Sequence, residues 1–238
     1  MKDKLNTYWK KLKYCKVVDG KLAITIPSKI SDMPRLKKQK IDINNFQYIG
    51  FQNIKNNDIN NPQNKTVGFF IDDTRFNNVC KKPWNYIERL KQYKQVLSID
   101  LSCYTNMDIT EQWYNTYINR VIARYWQDSG ITVIPTVSWS DEKSYKFAFL
   151  GIPKGSVVAV STLGAKNSKE LFMKGFIKMC EIIKPKYVIC YCKPFDEMCK
   201  YSKIVIAEYQ GQVIKRNTKN IKTMQLTLFD CIDEIKNK

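Results

Sequence analysis

The feature that most constrains this chain is an alternation that begins at Thr66, in which short runs of apolar residues are separated by stretches of helical periodicity. The apolar runs fall at residues 67–71, 96–99, 131–134, 157–160, 187–190 and 203–207. Runs this short, with apolar side chains on both faces, are what strands look like when helices cover them, and helical crossovers permit parallel pairing. Between the strands, Pro83 opens a helix with Trp84, Ile87 and Leu90 on one face. Asp108, with Glu111 three residues on, can cap a helix carrying Trp113, Tyr117, Val121, Ile122 and Tyr125 until Gly130 stops it. Ser168 can cap another with Leu171, Phe172, Phe176, Met179 and Ile183 inward and Pro185 beyond its end. The expected fold is α/β, a mostly parallel sheet flanked by helices.

Around this body the composition changes. The polar run at 56–65 separates an irregular, basic N-terminal part (1–65) from the α/β domain (66–210), and from Gly211 the chain turns basic again as a linker and tail (211–238). The apolar runs are far shorter than a membrane-spanning helix requires, and the start is too mixed for an export signal, so no membrane partner is expected. Eight scattered cysteines, several of them inside apolar strands, suit a reducing cytoplasm.

The net charge of +18 attracts polyanions, and nucleic acid is the first partner it suggests, DNA in particular. Lys10, Lys11, Lys13, Arg35, Lys37 and Lys38 lie in the basic N-terminal part among Tyr8, Trp9 and Tyr14, and Lys215 and Arg216 lie in the linker. Such a mixture suits phosphate contact and base stacking, and equally suits the wet face of an amphipathic helix. The chain contains no histidine, which excludes Ser-His-Asp triads, histidine zinc hydrolases and HUH-type initiators. No Gly-x-x-x-x-Gly-Lys or Gly-x-Gly-x-x-Gly loop is present, so an ATPase or dinucleotide enzyme is not expected.

Parallel sheets carry their working groups at the carboxyl ends of the strands. Those ends hold Asp72 and Asp73, then Asp100, Ser102 and Tyr104, then Thr136, Ser138 and Trp139, then Ser161 and Thr162, and finally Tyr191 and Lys193. Asp72, Asp73 and Asp100 are candidate ligands for Mg²⁺, a hard cation that takes oxygen ligands and keeps attacking waters; the same residues also suit turns and helix caps. No other cofactor is expected. Ser102, Tyr104, Arg120, Thr136, Trp139, Ser161, Thr162 and Tyr191 are the candidate pocket residues. Arg120 and Arg124, four apart on one helix, could fork onto a phosphate or pair with Asp100. Trp139 could stack a base or pack as a core residue.

The segment Gln225-Leu226-Thr227-Leu228-Phe229 places apolar anchors and one amide within five residues behind the polar linker. It resembles the bacterial sliding-clamp-binding motif of polymerase, mismatch-repair and translesion proteins, matching it at Gln225, Leu226, Leu228 and Phe229. The resemblance implies docking on the clamp, which would raise the local concentration of a weakly DNA-binding body.

Within the body, Asp100-Leu101-Ser102-Cys103-Tyr104-Thr105-Asn106-Met107, Arg120, the run from Gly130 to Trp139 and Val158-Ala159-Val160-Ser161-Thr162 resemble an uncharacterised domain family of phages and mobile elements in Gram-positive bacteria. That resemblance spans about residues 72–193 and implies a mobile-element setting without assigning an activity. Where the family usually ends the tyrosine-containing strand with Gly, this chain has Cys192. The sequence thus leads to a DNA-associated accessory protein of phage or mobile-element replication, recruited to the sliding clamp. The alternatives are a clamp-tethered, metal-dependent nuclease or related phosphoryl-transfer enzyme, and a phage inhibitor of the host clamp.

Overall fold

The computed structural model describes residues 15–18, 21–24, 33–54 and 60–208. Strands β1 (Cys15–Val18) and β2 (Lys21–Ile24) form an antiparallel pair. The body is built on two parallel ladders. The first runs in the order β3 (Gln47–Gly50), β4 (Lys65–Gly68), β5 (Gln95–Leu97) and β6 (Val133–Ile134). The second runs β7 (Val157–Ser161), β8 (Tyr187–Tyr191) and β9 (Ile204–Ala207). A parallel bridge between Thr136 and Ala159 joins them, with Val137 N–H donating to the Ala159 carbonyl and Ala159 N–H to the Pro135 carbonyl, both at 2.8 Å. Seven parallel strands therefore follow one another in space in their order along the chain.

That sheet curls on itself. Strands in a flat sheet lie about 4.8 Å apart, which would separate β3 from β8 by roughly 24 Å. The Tyr48 and Tyr191 rings instead meet at a centroid distance of 5.0 Å, and Tyr191 stacks on Phe70 at 5.1 Å. The concave face is a dry core of Phe70, Leu97, Ile134, Ala159, Ile189 and Tyr191, drawn from both ladders. The alternating side chains face outward: Val96, Val158, Val160, Val188 and Cys190 lie under helices. This two-sided burial is why the strands read as continuous apolar runs. A barrel-like curl results. Among the described residues no pairing joins β9 back to β3.

Two long helices cover the outside, after the short α1 (Asn77–Lys81) and α2 (Ile87–Leu90). Helix α3 (Ile109–Asp128) presents Tyr117, Val121, Ile122 and Trp126 to the first ladder, where Trp126 stacks on Phe69 at 5.7 Å. The turn α4 (Tyr145–Ala148) precedes the second ladder, and α5 (Lys169–Ile183) buries Phe176, Met179 and Ile183 against it. Each fully buried Phe, Leu or Ile in these layers contributes about 1.5–3 kcal/mol. Gly130, at φ 90°, ends α3, and Lys184, at φ 49°, ends α5 just before Pro185.

Three local expectations are corrected. Asp108 and Ser168 stand at the starts of α3 and α5, yet neither side chain makes a capping hydrogen bond. Pro83 opens a 3-10 turn, Pro83–Tyr86, and the α-helical turn begins only at Ile87. The sheet also starts upstream of Thr66: β3 and the buried Met33, Leu36, Ile49, Phe51 and Ile54 make part of the N-terminal region core material. Residues 33–46 cross the amino-terminal ends of the strands. Gln39 accepts from Val133 N–H at 2.8 Å and donates to the Ile131 carbonyl at 3.1 Å, and Lys94 pairs with Asp42 at 2.7 Å. No helix among the described residues is long and apolar enough to cross a membrane.

Candidate functional site

The carboxyl ends of β4, β5 and β6 bring two of the three sequence-selected aspartates together. The Asp73 carboxylate accepts from the Ser102 backbone N–H at 3.1 Å, which ties the loop after β4 to the loop after β5. Asp100 accepts from the Ser138 hydroxyl at 2.6 Å, which ties the loop after β5 to the one after β6. Burial lifts the Asp100 carboxyl to about 7; the Ser138 bond opposes the rise and the neighbouring Asp73 charge adds to it. Asp73 is raised too, by burial first, against its bonds to Ser102 and with help from Asp72. Asp100 is therefore poised to exchange a proton near neutrality, the property wanted of a general acid or base.

Asp72 does not join them. Its exposed carboxylate folds back to accept from the backbone N–H and hydroxyl of Thr74, capping the 3-10 turn Asp73–Arg75, and those bonds hold it below its ordinary pKa. Among the described residues no three His, Cys, Asp or Glu side chains gather as a metal-holding group. Asp73 and Asp100, with Ser102 and Ser138 beside them, are the residues able to take a hard cation, which would leave several of its positions to water or phosphate oxygen.

Below the aspartates lies a polar scaffold on one face of α3. Gln112 donates to the carbonyls of Tyr104 and Met107 at 2.9 and 3.0 Å, Asn115 donates to the Ser102 carbonyl at 2.9 Å, and Asn119 donates to the Ile99 carbonyl. Ser98 donates to Asn119 at 3.1 Å, and Thr136 N–H donates to the Ser98 hydroxyl at 2.7 Å. The loops after β5 and β6 are thus pinned by amides and hydroxyls. Sequence reasoning overlooked these residues, although amides at positions 112, 115 and 119, which share one helix face, are a readable signal.

Arg120 is fully buried among them and pairs with no carboxylate, contrary to the pairing with Asp100 weighed from sequence. Its guanidinium donates to Asn119 Oδ1 at 2.6 Å and to the carbonyls of Thr136, Leu150 and Ala148 at 3.2, 3.0 and 2.8 Å. Burial lowers its pKa to about 10. Arg124, one turn on, points elsewhere, to Asp128 at 3.1 Å and the Arg35 carbonyl at 2.6 Å. A cavity of about 10 Å³ beside Arg120, lined also by Cys103, Asn115, Asn119, Thr136 and Ser138, has room for about one water. Cys103 is pushed up to about 12, chiefly by burial, and is an inert thiol rather than a nucleophile.

The other pocket candidates divide. Ser102 donates to the Tyr104 hydroxyl at 3.3 Å, and Tyr104, 62% exposed, stands on the rim. Thr136 is sealed in, donating to the Ser98 carbonyl at 2.7 Å. Trp139 packs between Phe149 and Phe172, and its indole lies where a Cβ on Gly175 of α5 would be. Ser161 accepts from Leu163 N–H at 3.1 Å, and Thr162 closes the end of β8 by donating to the Tyr191 and Lys193 carbonyls at 3.1 and 2.9 Å. Tyr191 lies across the concave core against Tyr48. Tyr48, itself outside the sequence-selected set, feels the charges of Tyr191, Asp100 and Cys192, and burial raises its pKa. Cys192 has φ 72°, a left-handed conformation that glycine adopts freely and cysteine does not.

Of the expected nucleic-acid contacts, Lys37 pairs with Asp128 at 2.6 Å, Lys38 donates to the Lys154 carbonyl at 3.1 Å, and Arg35 is exposed. Lys10, Lys11, Lys13, Lys215, Arg216 and the clamp-binding candidates Gln225, Leu226, Leu228 and Phe229 lie outside the described residues.

Comparison with known proteins finds similarity to two phage proteins. Over 126 residues the chain is 39% identical to the Gene 1 protein of Mycobacterium phage L5, covering 52% of this chain and 55% of that protein. Over 126 residues it is 33% identical to the Gene 1 protein of Mycobacterium phage D29, covering 52% of this chain and 47% of that one. The chain thus matches about half the length of these relatives. No solved structure matches it. The family model described as a domain of unknown function, DUF4417, matches residues 27–210, a span that includes every described strand from β3 to β9, and the chain belongs to that family.

Proposed function

We propose that this protein is a DNA-associated accessory factor of phage or mobile-element replication, brought to the bacterial sliding clamp by residues 225–229. The observation that carries the reading is the pentapeptide Gln225-Leu226-Thr227-Leu228-Phe229 behind a basic stretch. Short peptides of this composition bind by seating Leu and Phe in a preformed apolar cleft while the amide fixes register. The phage origin of the relatives and the net charge of +18 support the same reading. The test is calorimetric titration of the full chain into a bacterial sliding clamp, beside a variant carrying Leu228→Ala and Phe229→Ala. Saturable binding that the variant loses is the expected result. Equal binding by both, or by neither, refutes clamp recruitment through this segment.

A second reading, a metal-dependent nuclease or related phosphoryl-transfer enzyme, is favoured by one observation. Asp73 and Asp100 close neighbouring strands at their carboxyl ends and lie within reach of each other's charge. Mg²⁺-dependent cleavage of DNA that disappears in Asp100→Asn supports it, and a chain inert toward single- and double-stranded DNA at every Mg²⁺ concentration rules it out.

A further inference from the structure

Five lysines of the body gather around the strand starts of the second ladder, and their placement selects a face for DNA. Lys154, Lys186 and Lys203 each lie just ahead of a strand, at the amino-terminal ends of β7, β8 and β9, which are neighbours in the sheet. Backbone bonds hold these three lead-in segments together: Lys186 N–H donates to the Ser156 carbonyl at 3.0 Å and Val188 N–H to the Lys203 carbonyl at 2.9 Å. Lys184 joins them through Gly155 N–H, which donates to the Ile183 carbonyl at 2.8 Å, and Lys38 reaches the Lys154 carbonyl at 3.1 Å. Tyr187 stands in the middle, with the ammonium groups of Lys186 and Lys203 at 5.9 and 5.8 Å from its ring centre.

All five lysines are exposed, and none has a carboxylate partner among the described residues. Neighbouring strands are about 4.8 Å apart, so like charges are crowded without compensation, a repulsion that a polyanion relieves. The backbone at Lys184 is left-handed, a place where glycine or asparagine is the usual residue. The loops at the opposite end of the sheet mix both signs, with Asp72, Asp73, Asp141, Asp196 and Glu197 beside Arg75, Lys143, Lys166, Lys193 and Lys200. A phosphate backbone approaching this body meets lysines without carboxylate partners at the amino-terminal ends of β7, β8 and β9, and carboxylates interspersed with lysines at the carboxyl ends.

We infer that Lys38, Lys154, Lys184, Lys186 and Lys203, around Tyr187, form a docking surface for the phosphate backbone of duplex DNA. The inference rests on the DNA-associated reading above and is independent of the clamp. Contacts of this kind carry no sequence information; they orient the body on the duplex and make binding depend steeply on salt.

The experiment is fluorescence anisotropy of the full chain on a labelled DNA duplex over a range of salt concentrations. It compares the wild type with a variant in which Lys154, Lys184, Lys186 and Lys203 are all Ala, and with a control in which Lys143, Lys166 and Lys193 at the other end are Ala. Circular dichroism melts verify that both variants are folded. Each lost phosphate contact lowers the slope of log K against log salt by about 0.9, so the quadruple variant should lose about 3 to 4 in slope while the control keeps the wild-type value. A quadruple variant that keeps the wild-type slope overturns this surface and leaves the DNA reading standing. Absence of duplex binding by the wild type overturns both. A quadruple variant that loses binding only to phosphatidylserine vesicles, with DNA binding intact, also overturns the proposal, because it makes the patch a lipid-facing one.

Discussion

Replacing Asp100 by Asn isolates the electrostatics of the candidate site with little change of shape, because Asn Oδ1 can still accept the Ser138 hydroxyl. In the folded chain burial lifts the Asp100 carboxyl from 3.8 to about 7. Between those values the unfolded chain has released its proton while the folded chain holds it. Wild-type stability therefore falls as pH rises from about 4 to about 7 and levels off above, whereas the Asn variant has no such term. At about 1.4 kcal/mol for each pKa unit, a rise of about three units corresponds to ~4 kcal/mol. Partial solvent access at the rim screens this to about 2 kcal/mol. Urea denaturation of both proteins from pH 4 to pH 8 reads the effect as a difference of differences: relative to wild type, Asp100→Asn gains about 2 kcal/mol across the window. Asp73 titrates in the same direction in both proteins and largely cancels. A stability difference that stays constant with pH would mean that Asp100 is solvated like an ordinary surface carboxylate, and the acid–base reading of the site would fail with it.

Other substitutions probe the scaffold. Arg120→Lys keeps the charge but not the fork that spans three carbonyls, and should cost about 2–4 kcal/mol in chemical denaturation, since buried acceptors left unmet cost about 1–3 kcal/mol each; a loss below about 0.5 kcal/mol contradicts that role. Gly175→Ala should destabilise by about 1–3 kcal/mol despite the better helix propensity of Ala, because the new methyl meets the Trp139 indole. A rise in melting temperature would show the indole free to move. Cys192→Gly should stabilise by roughly 0.5–1 kcal/mol by relieving the left-handed backbone, and a thermal shift in the opposite direction would give the cysteine side chain a packing role that outweighs the strain.

Much of this architecture was legible in the chain because apolar runs covered on both faces leave little choice. Val158 and Val160 go outward while Val157 and Ala159 go inward, and a sequence that is apolar at all four positions announces both layers. The strand ends were legible for the same reason, since a polar residue directly after such a run must lie at the sheet's edge; Asp73 and Asp100 were found that way. What stayed hidden depended on distance along the chain. β3 is four residues long with an exposed Gln47 at its start, and its pairing with β4 sets Ile49 against Val67. No local pattern reveals such a partner. The fate of Arg120 was hidden too, because its acceptors are backbone carbonyls, which every residue carries and no side-chain pattern marks. The curl of the sheet is likewise a property of seven strands taken together.

The strict order of the strands has a consequence for synthesis on the ribosome. Phe70, Leu97 and Ile134 point into the concave face, but the wall opposite them, Ile189 and Tyr191, is made last. Synthesis proceeds at about 5–20 residues per second, so the growing chain presents an apolar sheet surface on the order of ten seconds before that opposite wall can close over it. Nascent chains of this family should therefore be clients of ribosome-associated chaperones, and chains that stop short of β8 should aggregate even though each of their strands is correctly paired.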